Sequence, residues 1–132
     1  MSADHVAIVG AGASGTIQAL HLLDEGVARV TLIERERVPG RGTAYGTRQS
    51  EHLLNVTARR MIVWPDEPDH FARWWAERHG GARDDYAPRM QFGDYLSEQL
   101  ERSRDRIRVV KGAAVDIRRG DGEVVTVEHG RG

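Results

Sequence analysis

Apolar residues fall along the chain in short blocks separated by glycine- or proline-bearing breaks. Val6-Ala7-Ile8-Val9 is apolar without interruption, which predicts a strand from His5 to Val9 covered on both faces of a parallel sheet. From Ser14 to about Glu25 the period changes: Ile17, Leu20 and Leu23 share one face of a helix that Gly26 stops. Arg29 to Glu34 reads as a second strand, closing a βαβ unit with a short right-handed crossover. Arg35 to His52 has loop composition, dense in glycine at Gly40, Gly42 and Gly46 around Tyr45. A helix is predicted from Asp69 to His79, started by Pro68 and stopped by Gly80-Gly81, with Phe71, Trp74 and Trp75 as an aromatic core face. Phe92 to Ser103 is another, with Phe92, Leu96 and Leu100 aligned. Ile107 to Val110 is a third strand, and Ala114 to Arg118 and Val124 to Glu128 flank the hairpin turn Gly120-Asp121-Gly122. The pattern predicts a three-layer α/β fold with a parallel sheet, its first strand central between the third and the second, followed by the start of a β-meander.

The first 34 residues carry the densest chemistry. A β-branched run ends in Gly10-Ala11-Gly12-Ala13-Ser14-Gly15, a helix follows, and the next strand ends in Glu34. This is G-x-G-x-x-G with its strand, helix, strand and acid in order, a dinucleotide-binding fingerprint. Gly10 permits the tight turn, Gly12 lets a pyrophosphate approach the backbone, and Gly15 lets helix and strand pack closely. The first helical turn leaves N–H groups facing the phosphates, with the helix dipole behind them. Glu34 can accept hydrogen bonds from both hydroxyls of an adenosine ribose, and its charge disfavours the 2′-phosphate of NADP at this position. The glycine-rich stretch after Glu34 reads either as a connector or as a second backbone-rich wall of a ligand site, its position favouring the wall.

Composition narrows the classes. The chain has 132 residues, room for one domain with a real core. A formal net charge of -1 gives no electrostatic case for nucleic acid or an anionic membrane. All but one of the 19 basic residues are Arg, the exception being Lys111. The cluster from Arg102 to Arg108 lies where a helix ends and reads as a solvated face suited to the helix dipole. There is no cysteine, so thiolate metal sites, disulfides and a cysteinyl-flavin bond are excluded within the chain. The apolar start resembles neither a signal peptide nor a membrane span, and the expected location is cytoplasmic.

The interval between the second and third strands shifts the cofactor expectation. A nicotinamide-binding fold places its third strand within roughly thirty residues of the second, whereas about seventy separate Glu34 from Ile107 here. A long insertion followed by a hairpin suits flavoproteins with two dinucleotide folds, and favours FAD over NAD. The chain then resembles a particular family in an ordered series of motifs. These are the fingerprint, Gly42-Thr43-Ala44-Tyr45-Gly46, Leu53-Leu54-Asn55-Val56, Pro65-Asp66-Glu67-Pro68 with Phe71 and Trp74, and Pro88-Arg89 with Phe92-Gly93-Asp94-Tyr95-Leu96. Together they resemble the N-terminal FAD/NAD(P)-binding domain of the flavoprotein group that includes flavin-dependent urate hydroxylases and aspartate N-monooxygenases.

The resemblance implies a Rossmann-like FAD/NAD(P)-binding domain over residues 1–132, in an incomplete form that stops inside the meander, before the closing strand. It implies that Gly10, Gly12, Ala13, Ser14 and Gly15 hold the FAD pyrophosphate, Glu34 the adenosine ribose, and Arg35 the adenine edge. By the same likeness Gly42, Thr43, Ala44 and Tyr45 approach the flavin half, Asn55 and Val56 lead toward the isoalloxazine, and Val115 offers a backbone contact to adenine. Two departures touch the flavin-facing wall: Thr57 follows Asn55-Val56 where the group has Pro, and Ile62 follows Met61 where Ser is common. The implied function is the FAD-binding portion of a flavin-dependent oxidoreductase, an NAD(P)H-dependent monooxygenase or hydroxylase. The alternative is a non-catalytic nucleotide-binding module or a truncated gene product. No catalytic residue is assigned; His52 and Tyr45 are the nearest candidates, and no metal site is expected. The expected partners are the dinucleotide and either a downstream region or an oligomer mate.

Overall fold

The computed structural model describes residues 4–35, 49, 51–119 and 125–130, with Arg119 and 125–130 described by backbone alone. Strand β1 (His5–Val9), helix α1 (Ala13–Asp24) and strand β2 (Arg29–Glu34) form the expected βαβ unit. After them come a 3₁₀ turn (Ala58–Arg60), helices α2 (His70–His79) and α3 (Arg89–Arg102), and strands β3 (Ile107–Lys111), β4 (Ala113–Arg119) and β5 (Val125–Gly130). Among the described residues no helix is long and apolar enough to cross a membrane. The loop residues Gly42, Thr43, Ala44 and Tyr45, and the turn Gly120-Asp121-Gly122, lie outside the described residues.

The strand order is β1-β2-β3, all parallel, so the expectation of a central first strand is corrected: β2 is central and β1 forms an edge. Burial gives the reason. Val30, Leu32 and Ile33 are all buried, so β2 is covered on both faces, whereas β1 alternates, with Val6 and Ile8 half-buried and Ala7 and Val9 exposed. An apolar tetrapeptide reads the same in either place, because Ala7 and Val9 are apolar without being covered. The β4–β5 hairpin is a separate antiparallel pair, with β4 touching β2.

Two hydrophobic clusters hold these layers. The first joins α1 to the sheet through Ala19, Leu20, Leu23, Val30, Leu32 and Ile107. The second is aromatic and joins α2 to α3: Phe71 packs edge-on to Phe92 at 5.0 Å and to Tyr95 at 5.2 Å, and Trp74 meets Tyr95 at 5.4 Å. The aromatic face of α2 is therefore core. Tyr95 is fully buried, its hydroxyl bonded to His70 Nδ1 at 2.5 Å, and burial pushes its phenol well above the ordinary range.

The basic cluster after α3 is only partly a solvated face. Arg106 reaches back to the C-terminal end of α1 and the turn beyond it, donating to the carbonyls of Leu23 at 3.2 Å, Val27 at 2.8 Å and Ala28 at 3.4 Å. Cations suit a helix C-terminus, and here one links two segments far apart in the chain.

Candidate functional site

The glycine turn sits between β1 and α1, and Gly10 and Gly15 each have a geometric reason to be there. Gly10 adopts φ +97, and its N–H donates to the Ile33 carbonyl at 2.8 Å, which fastens the turn to β2. A Cβ on Gly15 would lie 2.0 Å from the Gly10 carbonyl oxygen, so only glycine lets α1 approach the turn this closely. Gly12 is the N-cap of α1 in extended conformation and offers no side chain to the helix end. No acidic residue lies in the first turn, and Ser14 is exposed. Among the described residues no side chain caps the helix's N-terminal N–H groups, which carry the positive end of its dipole.

Glu34 lies at the end of β2 beside this turn and is buried, 6% exposed. Its Oε1 accepts the Ala11 N–H at 3.0 Å. Its backbone carbonyl accepts the Gly112 N–H at 2.9 Å, which brings the start of the hairpin to the same strand end. Arg35 follows, exposed. Glycine turn, acid and the β3–β4 bend thus converge at the C-terminal edge of the sheet, where open α/β sheets take their ligands.

Asn55 and Val56 belong to a segment running beside residues 82–89: Leu54 N donates to Ala87 O at 2.9 Å, Ala58 N to Asp85 O at 2.9 Å, and Arg89 Nε to Leu53 O at 2.8 Å. Leu54 and Ala58 are buried in the aromatic cluster, against which Ala13 and Ile17 of α1 pack. The segment is thereby carried to the side of α1, with Asn55 exposed and Val56 half-buried. Val115 lies within β4, where the pairing with β5 shifts register between Ala114 and Asp116 and skips it, a bulge that leaves it outside the ladder. His52, in the same segment, is exposed.

Sequence reasoning missed Thr16, which is fully buried, with its Oγ1 3.4 Å from the Ala11 carbonyl. A threonine one residue after the third glycine was the available signal. A cleft of about 290 Å³ opens at the opposite end of α1, lined by Asp24, Glu25, Asp66, Glu67 and Trp64 among others. Its four carboxylates at the negative end of the helix would repel a pyrophosphate.

A parallel βαβ unit, an uncapped helix start behind a glycine turn and an inward acid on the neighbouring strand define a dinucleotide-binding protein of the Rossmann-like class. More particularly, the chain belongs to the FAD-NAD(P)-binding family, which residues 7–132 match. Its cofactor class is accordingly FAD and NAD(P). It is similar to a phytoene dehydrogenase from Streptomyces griseus, 62% identical over 63 residues, which are 48% of this chain and 12% of that protein. In fold it resembles OTEMO in its complex with FAD and NADP, with a TM-score of 0.59 and 18% identity, covering 97% of this chain and 22% of the other. It also resembles the ornithine hydroxylase PvdA from Pseudomonas aeruginosa, with a TM-score of 0.56 and 18% identity, covering 96% of this chain and 36% of that one. The chain thus spans less than half of each of these relatives.

Proposed function

We propose that this chain is the FAD-binding portion of a flavin-dependent oxidoreductase, of the NAD(P)H-dependent monooxygenase or hydroxylase kind related to urate hydroxylases and aspartate N-monooxygenases. The observation that carries the reading is the pairing of an uncapped α1 N-terminus with a buried, inward Glu34 one strand away. The donor set suits a dinucleotide: uncapped N–H groups for an anion, a carboxylate for a diol, and no acid in the first helical turn to repel a pyrophosphate. Membership of the FAD-NAD(P)-binding family and the fold likeness to a hydroxylase support it.

In this reading Gly10, Gly12, Ala13, Ser14 and Gly15 hold the pyrophosphate, Glu34 the ribose hydroxyls and Arg35 the adenine edge. The Val115 bulge offers its backbone to adenine, Gly42 to Tyr45 line the flavin half, and Asn55 and Val56 lead to the ring. The flavin, when bound, supplies the redox chemistry, while the protein contributes orientation and electrostatics. Flavin fluorescence titration tests the assignment. The chain is expected to bind FAD, and Gly12→Val to abolish binding by placing a branched side chain in the path of the pyrophosphate. Unchanged affinity in Gly12→Val, or no uptake of FAD or NAD(P)H by the chain, overturns the reading. Binding without NADH or NADPH oxidation in stopped flow would assign the chain as the cofactor-holding part alone.

A further inference from the structure

The peptide of Ala11 is held from both sides by side chains of other segments. Its N–H donates to Glu34 Oε1 at 3.0 Å, and its carbonyl accepts from Thr16 Oγ1 at 3.4 Å. Ala11 and Thr16 are fully inaccessible and Glu34 nearly so. In such surroundings an unmatched peptide group is costly, so both bonds favour one orientation of the peptide. The neighbours add to this: Gly10 N–H is tied to Ile33 O at 2.8 Å, and Thr16 N–H to Gly12 O at 3.0 Å. The turn between Gly10 and Gly12 is thus fastened to β2 and α1 by bonds that lie inside the protein.

We propose that Thr16 and Glu34 are positioning residues that clamp the Ala11 peptide, so that the glycine turn is set in its binding shape before a dinucleotide arrives. The proposal rests on the functional reading above and adds a second task to Glu34, whose Oε1 organises the turn. The two halves of the clamp differ in strength. The bond to the carboxylate is of ordinary length and charge-assisted, whereas 3.4 Å is long for a hydroxyl donor, so Thr16 contributes the smaller share. Pre-set turns bind with less ordering cost, and loss of the clamp falls mainly on the rate of association.

The test combines amide hydrogen exchange on the cofactor-free chain with FAD titration and stopped-flow association. Thr16→Val keeps shape and removes the hydroxyl. It is expected to hasten exchange in the Ala11 turn and weaken FAD binding roughly threefold, a modest hydrogen bond's worth. Thr16→Ser is expected to restore both. Glu34→Gln keeps an acceptor for the Ala11 N–H and should retain its protection, whereas Glu34→Leu should lose it. Unaltered exchange at Ala11 in both Thr16→Val and Glu34→Leu overturns the clamp, as does a fall in melting temperature with an unaltered association rate. If the wild-type chain takes up no FAD or NAD(P)H, the functional reading fails. The clamp is then judged by Ala11 exchange alone, protected if it exists and as fast as in an open loop if it does not.

Discussion

Replacing Gly15 by alanine sets two effects of known size against each other. In a helix interior alanine is favoured over glycine by about 1 kcal/mol. The added Cβ, however, would stand 2.0 Å from the Gly10 carbonyl oxygen, 3.1 Å from its carbon and 3.4 Å from Ile8 Cγ2. Relief requires the turn or the helix to retreat by about 1 Å to reach normal non-bonded distances. The turn cannot swing freely, because Gly10 N–H is bonded to Ile33 O and Ala11 N–H to Glu34. Overpacking of this kind costs about 1–3 kcal/mol, and a backbone obstacle puts Gly15 at the upper end. The net expectation is a loss of about 2 kcal/mol in urea or guanidinium unfolding, together with a loss of dinucleotide affinity as the turn is displaced. Ser14→Ala is the matched control: it sits next door in the same helix, is exposed, and gains helix propensity without a clash. A Gly15→Ala protein as stable as wild type, or stabilised as much as Ser14→Ala, would show that the close approach of α1 to the turn is not real and refute the reasoning.

Two further outcomes are expected. Arg106→Ala removes the donors to Leu23, Val27 and Ala28 and should destabilise the chain by about 1–2 kcal/mol in denaturant titration, with Arg106→Lys recovering only part because an ammonium cannot fork across separate carbonyls. Glu98 accepts from the Trp74 indole at 2.9 Å and from Arg78 at 2.6 Å; burial alone would raise its carboxyl, but these partners with Arg102 outweigh it and hold the carboxyl below the ordinary range. Its contribution is therefore complete above the ordinary carboxylate value, about pH 4, and is lost as pH falls through the lowered one, so the stability gap between wild type and Glu98→Gln should close in acid melting curves.

What could be read from the sequence was what local chemistry decides. The second strand, Arg29–Glu34, has the predicted bounds, and α1 starts one residue earlier than expected, because glycine placement and apolar period mark both. Helix α3 begins at Arg89 rather than Phe92: its first turn, Arg89-Met90-Gln91, follows Pro88 directly and carries too little apolar period to be seen. The 3₁₀ turn Ala58–Arg60 is too short to have a period at all. Strand order escaped prediction because an apolar tetrapeptide does not reveal that Ala7 and Val9 stay exposed, which distant residues decide. At the site, the fingerprint and Glu34 were legible from spacing. That Glu34 turns inward to Ala11, and that Thr16 backs the same peptide, depends on side-chain direction and could only be seen once the strands were in register.

The placement of β3 next to β2 has a kinetic consequence. β1 and β2 pair across one helix, Val6 opposite Val30, whereas Val30 meets Ile107 only after a loop roughly three times longer has closed. On loop entropy alone that costs about 1 kcal/mol more, and contacts distant in sequence form slowly. The βαβ unit is thus the natural early structure, with α2 and α3 shortening the remaining gap as their aromatic cluster condenses. Arg106 makes its bonds to Val27, 79 residues away, only when β3 docks. It acts as a latch on the finished sheet, so its removal is expected to quicken unfolding while leaving the folding rate near that of the wild type.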